Sequence, residues 1–129
     1  MPPLEYDISR EVVPSLQNGG VFMPYYQTIS KEAAWRLING RCGCRVLDVR
    51  DREEYESGHL PGAVHVPLYQ ITRKVPYLMP NRSRPLLVYC GSGARSLPAV
   101  QVLAVMGYKN LYNLQGGLQE FNLKNVLTY

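Results

Sequence analysis

Four short segments, CRVLDV (44–49), AVHVPL (63–68), PLLVYC (85–90) and NLYNL (110–114), are apolar with little alternation, and helix-length stretches separate most of them. A strand with one wet face alternates apolar and polar residues, whereas a strand buried on both faces reads as a nearly continuous apolar run. Runs of this kind interleaved with helices need cover above and below, and parallel strands joined by helical crossovers supply it. The pattern therefore predicts an α/β domain built on a parallel sheet with helices on both faces.

Local signals mark the elements. QTIS (27–30) reads as a short first strand, Ser30 as a helix cap, and KEAAWRLIN as the helix that stops at Gly40. Asp51 with Glu54 three places on forms a capping-box pattern for a short helix stopped by Gly58. LYQITRKV predicts a helix ending before Pro76, residues 96–106 a helix ending at Gly107, and Gly116–Gly117 the start of a last helix. Residues 1–26 hold PP, NGG and MPYY and no sustained period, so they read as an N-terminal extension ahead of a domain over 27–129.

At 129 residues the chain suits one domain with a real core. The net charge of +4 favours anionic ligands, but the basic residues are scattered, so no nucleic-acid partner is expected. The first residues are acidic and proline-rich where a signal peptide would be basic and then apolar, and no run approaches the ~18 apolar residues of a membrane span. A cytoplasmic protein without membrane attachment is expected. Three cysteines, Cys42, Cys44 and Cys90, make an odd count in a chain that needs no disulfide framework, and reduced thiols follow.

The chemistry concentrates in CGSGARS, residues 90–96. Cys90 closes the most apolar strand and Ser96 opens a helix, so Gly91, Ser92, Gly93, Ala94 and Arg95 form the bend. Glycines permit the positive φ that turns successive N–H groups inward as an anion nest, and the helix adds its unpaired N–H groups and the positive end of its dipole. Pro98 fits the first turn, where an N–H has no use. Donors converging on the Cys90 sulfur favour the thiolate, which is the nucleophile. Arg95 at a helix start, where cations are disfavoured, suits a bound anion.

VLDVRDREEYESGHLPGAVHVPL, LLVYCGSGARS and GYKNLYNLQGGLQEF, three motifs in order over residues 27–124, resemble the rhodanese-like family of sulfurtransferases. The resemblance implies a five-stranded parallel sheet and a persulfide formed on Cys90, with a donor such as thiosulfate or mercaptopyruvate and a thiol or protein acceptor. Arg95 would hold the donor's anionic group, the N–H groups from Gly91 to Ser96 would stabilise charge on sulfur, and neither metal nor organic cofactor is implied. A CGSG start is common in mercaptopyruvate users, while the ARS continuation is common in small single-domain members, so the donor stays open. Two alternatives share the loop. One is a sulfur-carrier module serving one protein partner. The other is a cysteine phosphatase or arsenate reductase, whose loops place five residues between cysteine and arginine where this chain places four.

Asp48 and Arg50 match the family's DVR motif and are expected to support the site, as is His59 of GHLPGA, because a thiol already ionised needs no general base. Cys42 and Cys44 read as packing residues, with a resolving thiol for the persulfide as the alternative. Trp35 and Phe121 read as core aromatics.

Overall fold

The computed structural model describes residues 25–121. Its strands are β1 (Gln27–Ile29), β2 (Arg45–Asp48), β3 (Val64–His65), β4 (Leu86–Tyr89) and β5 (Leu111–Leu114), and its helices are α1 (Lys31–Asn39), α2 (Arg52–Glu56), α3 (Ile71–Leu78) and α4 (Ser96–Val105). Short 3₁₀ turns occupy Leu68–Gln70 and Leu118–Glu120. All five strands pair in parallel in the order β1-β5-β4-β2-β3, as the apolar runs predicted.

That order decides which face each helix covers. The chain moves one way across the sheet from β1 to β2 to β3, then turns back to β4 and β5, and right-handed crossovers place helices of opposite travel on opposite faces. Accordingly Ala34 and Leu37 of α1, with Tyr55 of α2, pack against Val46, Leu87 and Tyr89 on one face. Ile71 and Val75 of α3, with Ala99, Val100 and Leu103 of α4, pack against Leu47, Val88 and Cys90 on the other. The neighbours β2 and β4 feed helices on opposite faces, so a crevice opens beyond their carboxyl ends, the place where open α/β sheets bind ligands.

Caps match the sequence signals. Ser30 Oγ accepts from Ala33 N–H at 3.2 Å, and Glu54 Oε1 accepts from Asp51 N–H at 3.1 Å to close the capping box of α2. Three expectations change. Helix α3 does not end before Pro76 but carries it to Leu78. Pro76 forfeits one N–H, yet Ile71, Val75 and Met79 are all buried, and Met79 N–H reaches Val75 O at 2.7 Å, so burial of this face outweighs one missing bond. Of AVHVPL only Val64 and His65 form the edge strand, although Val66 and Leu68 N–H still donate to Asp48 O at 3.0 Å and Val49 O at 3.2 Å, and Pro67 is tolerated between them because its nitrogen alternates away from β2. The segment after Gly117 begins as a 3₁₀ turn, and residues 122–129, like 1–24 of the expected extension, lie outside the described residues. Tyr26 joins the α4-side core, and its hydroxyl accepts from Gln101 Nε2 at 3.4 Å.

Candidate active site

Strand β4 is the middle strand, and its two-residue period sends neighbouring side chains to opposite faces. Tyr89 points to the α1 side and Cys90 to the α4 side, where α4 begins. The loop folds back over the thiol. Gly93 N–H lies 3.0 Å from Cys90 Sγ, and the N–H groups of Arg95 and Ser96 each lie at 3.3 Å. Ser96 Oγ, itself buried, stands 3.6 Å from the sulfur and turns donor once the sulfur is ionised. Burial pushes this thiol's pKa up, but the Ser96 hydroxyl and the three N–H groups outweigh it, and the pKa falls below the usual thiol range. Gly93 achieves its part at φ 101°, a conformation that side chains resist. The donors to sulfur are thus Gly93, Arg95 and Ser96, while Gly91, Ser92 and Ala94 carry the chain around the bend.

The loop is held from behind by a segment that the sequence marked only as punctuation. Leu118 N–H donates to Cys90 O at 2.8 Å and Gln119 N–H to Gly91 O at 3.1 Å, which turns those carbonyls away from the sulfur. Gly117 makes this approach possible: its φ is 68°, and a Cβ there would lie 2.5 Å from Gly91 O and 2.7 Å from Cys90 O.

Arg95, expected to await an anion, already has one. Its Nη1 donates to Glu54 Oε1 at 2.6 Å and its Nη2 to Glu54 Oε2 at 2.9 Å, with Asp51 Oδ2 4.0 Å from Nη1. This pair holds the Glu54 carboxyl down to about 2 and lifts the guanidinium further above its usual range. Glu54 entered the sequence reading only as a cap, and its second partner is 41 residues away.

Asp48 and Arg50 form a buried pair at the carboxyl end of β2. Arg50 Nη2 donates to Asp48 Oδ2 at 2.7 Å and to Gly58 O at 2.7 Å. Tyr89, which the sequence did not single out, donates its hydroxyl to Asp48 Oδ2 at 2.6 Å and accepts from Leu60 N–H at 3.0 Å. The network ties the end of β2, the GHLPG turn and the residue before Cys90 into one frame, and every charge in it is partnered. His59 belongs to that turn: its ring stacks on Tyr55 at 3.8 Å, and its Nδ1 donates to Tyr55 O at 2.9 Å. His65 stacks nearby on Tyr55 at 4.7 Å, its Nε2 donating to Arg50 O at 2.7 Å.

Cys42 and Cys44 are half-buried free thiols on the α1-side face at the amino end of β2. Arg45 pairs with Leu86, so Cys44 is level with Pro85, five residues and about 16 Å along the sheet from Cys90. A disulfide needs Cα atoms within about 7 Å, so a resolving bond to Cys90 is outside this geometry. Trp35 is not a core residue: it is 37% exposed, with its ring edge-on to Phe121 at 6.2 Å, and Phe121 packs at the margin of the core.

The rhodanese-like domain model matches residues 30–124. Among curated proteins the chain is 33% identical over 96 residues to YrkF of Bacillus subtilis (strain 168), provisionally named a sulfur carrier protein, covering 74% of this chain and 51% of that one, so it spans about half of that relative. It is 33% identical to the thiosulfate sulfurtransferase GlpE of Coxiella burnetii (strain RSA 331 / Henzerling II), covering 73% of this chain and 85% of that one. It is also 32% identical to the thiosulfate sulfurtransferase PspE of Escherichia coli (strain K12), covering 62% and 76%. Of solved structures, SSP1007 from Staphylococcus saprophyticus superposes with a TM-score of 0.71 at 28% identity over 80% of this chain and 99% of that one. A rhodanese with anions from E. coli superposes with a TM-score of 0.57 at 31% identity over 62% and 93%.

Proposed function

The chain belongs to the rhodanese-like domain family, and from that premise we propose that it is a sulfurtransferase carrying sulfur as a persulfide on Cys90. One observation supports this most: three backbone N–H groups and the Ser96 hydroxyl surround a single buried sulfur. Such a cradle stabilises a thiolate before reaction and a charged outer sulfur after it.

In the first step the Cys90 thiolate attacks the outer sulfur of a donor such as thiosulfate. A new Sγ–S bond forms, the donor's S–S bond breaks, and its electron pair leaves on sulfite. In the second step a thiophilic acceptor, cyanide in an assay or a thiol of a small molecule or protein, attacks the outer sulfur. The Sγ–S bond breaks and the Cys90 thiolate returns. Turnover is ping-pong and balances without an outside oxidant or reductant. Asp48, Arg50, Tyr89 and His59 hold the frame and take no proton in either step. Phosphate-ester chemistry is disfavoured, because the Cys90 loop is short and the Arg95 fork that would seat a phosphate is occupied by Glu54. Among the described residues no helix is long and apolar enough to cross a membrane, and a thiolate kept ready for sulfur suits the reducing cytoplasm.

Intact-mass analysis after exposure to thiosulfate or mercaptopyruvate tests the reading. The parent protein gains one sulfur, mapped to Cys90, and releases it to cyanide as thiocyanate, whereas Cys90→Ser does neither. Sulfur mapped to Cys42 or Cys44, or equal turnover in Cys90→Ser, sinks the assignment.

A further inference from the structure

The guanidinium carried by the nucleophile's own loop is spoken for. Arg95 returns over its own loop, with Nη2 3.5 Å from the point where a side chain on Gly91 would begin, so it stands at the mouth of the sulfur cradle. Both of its terminal nitrogens are bound to Glu54 in a bidentate pair, and Asp51 lies just beyond. One guanidinium thus faces two carboxylates. The hollow beside them is lined by Asp51, Glu53 and Glu54, and its one cation, Arg52, is bridged to Glu56 at 3.0 Å. An anion that reaches for Arg95 must displace Glu54 or settle beside it, and either course opposes a donor more strongly as its negative charge grows.

We propose that Glu54 is a specificity-determining residue that acts through Arg95, steering the site toward sulfur donors of low negative charge and away from dianions. The proposal rests on Cys90 being the sulfur-accepting nucleophile. Glu54 is a positioning residue, since it touches Arg95 and the Asp51 backbone rather than the sulfur.

Glu54→Gln isolates the charge, because glutamine still accepts from the Asp51 N–H in a capping box. Sulfur transfer from thiosulfate, a dianion, is compared with transfer from methanethiosulfonate, a monoanion. The kcat/KM ratio of dianion to monoanion rises about tenfold in the variant, because removing one negative charge relieves the dianion of one more unit of repulsion than the monoanion. An unchanged ratio overturns the proposal. Alkylation of Cys90 by iodoacetate and by iodoacetamide, resolved from Cys42 and Cys44 by peptide mass, reads the same field without sulfur transfer. Its anion-to-neutral rate ratio also rises in Glu54→Gln, and a flat or falling ratio refutes the proposal. A parent protein that takes no sulfur from either donor would defeat the sulfurtransferase reading, and alkylation would still decide the role of Glu54. Asp51→Asn, at an exposed position where asparagine caps equally well, gives about a twofold shift in the same direction. If Glu54→Gln fails to fold, an unchanged ratio in Asp51→Asn overturns the proposal on its own.

Discussion

Cys90 and Cys44 stand at opposite ends of adjacent strands, both withdrawn from water, and their acidities move in opposite directions. Burial drives the Cys44 thiol up to about 12, helped by the neighbouring Cys42, and its S–H donates to Arg45 O at 3.2 Å, a bond that holds the neutral form. Cys90 is the more deeply buried residue, yet its thiol falls below the usual range. The difference is the direction in which peptide groups point. At Cys44 the thiol donates to the Arg45 carbonyl, and the Leu87 backbone N–H and the Arg84 charge that favour its thiolate do not outweigh burial, while at Cys90 a helix start and a glycine bend aim three N–H groups at the sulfur and the carbonyls are pinned behind. Burial alone silences a thiol, and oriented dipoles awaken it.

The comparison breaks or sharpens under five measurements. The largest effect is in alkylation by iodoacetamide at pH 7 with peptide mapping. With its thiol held up to about 12, Cys44 is almost wholly protonated at pH 7, whereas the Cys90 thiol is lowered, so Cys90 reacts faster by roughly a hundredfold or more even after the greater nucleophilicity of a high-pKa thiolate is allowed for. Comparable rates would end the contrast. Next is Gly117→Ala, which forces a Cβ into the carbonyls of Cys90 and Gly91 and displaces the loop. Persulfide formation drops about a hundredfold, the cost of a displacement near 1 Å, and the melting temperature falls. Parental activity in that variant would show that the backing segment is dispensable.

Ser96→Ala is milder. The three N–H groups remain, so sulfur transfer falls roughly fivefold, and the inflection of alkylation rate with pH moves upward. An inflection that stays in place would mean the backbone alone sets the acidity. The smallest effect on activity comes from replacing Cys42 and Cys44 together with Ala: persulfide formation at Cys90 is unchanged, and stability falls by ~1 kcal/mol. Cys44 has a separate pH signature. The unfolded chain releases the Cys44 proton in the ordinary thiol range and the folded chain only near about 12, so folding stability declines as pH rises between them. Cys44→Ala removes that part of the decline, which denaturant melts across alkaline pH would detect.

What the sequence disclosed follows the range of its signals. Caps at Ser30 and Asp51, the apolar strands and the Cys90 loop rest on residues a few places apart, and the structure keeps them. The Glu54–Arg95 and Tyr89–Asp48 pairs each join residues 41 apart, and only the register of β2 on β4 brings them together. No local spacing reports such a register. Pro76 misled because a breaker signal says nothing of the apolar face that carries a helix through it, and Trp35 because an aromatic on an amphipathic helix can lie at the rim of its buried stripe. The double glycine at 116–117 reads in the sequence as the start of a last helix, but its reason, the close approach of Gly117 to Gly91, belongs to tertiary structure.

The bonds from Leu118 and Gln119 to the carbonyls of Cys90 and Gly91 also give the nucleophile an order of assembly. A ribosome delivers the Cys90 loop before it delivers Gly117 to Gln119, so the nascent thiol keeps ordinary acidity until the later segment docks. Oxidation of cysteine follows thiolate character and exposure. The growing chain therefore carries an ordinary thiol at this position, and the lowered pKa of Cys90 arrives only as the sheet closes, so the timing of synthesis sets when the nucleophile becomes ready.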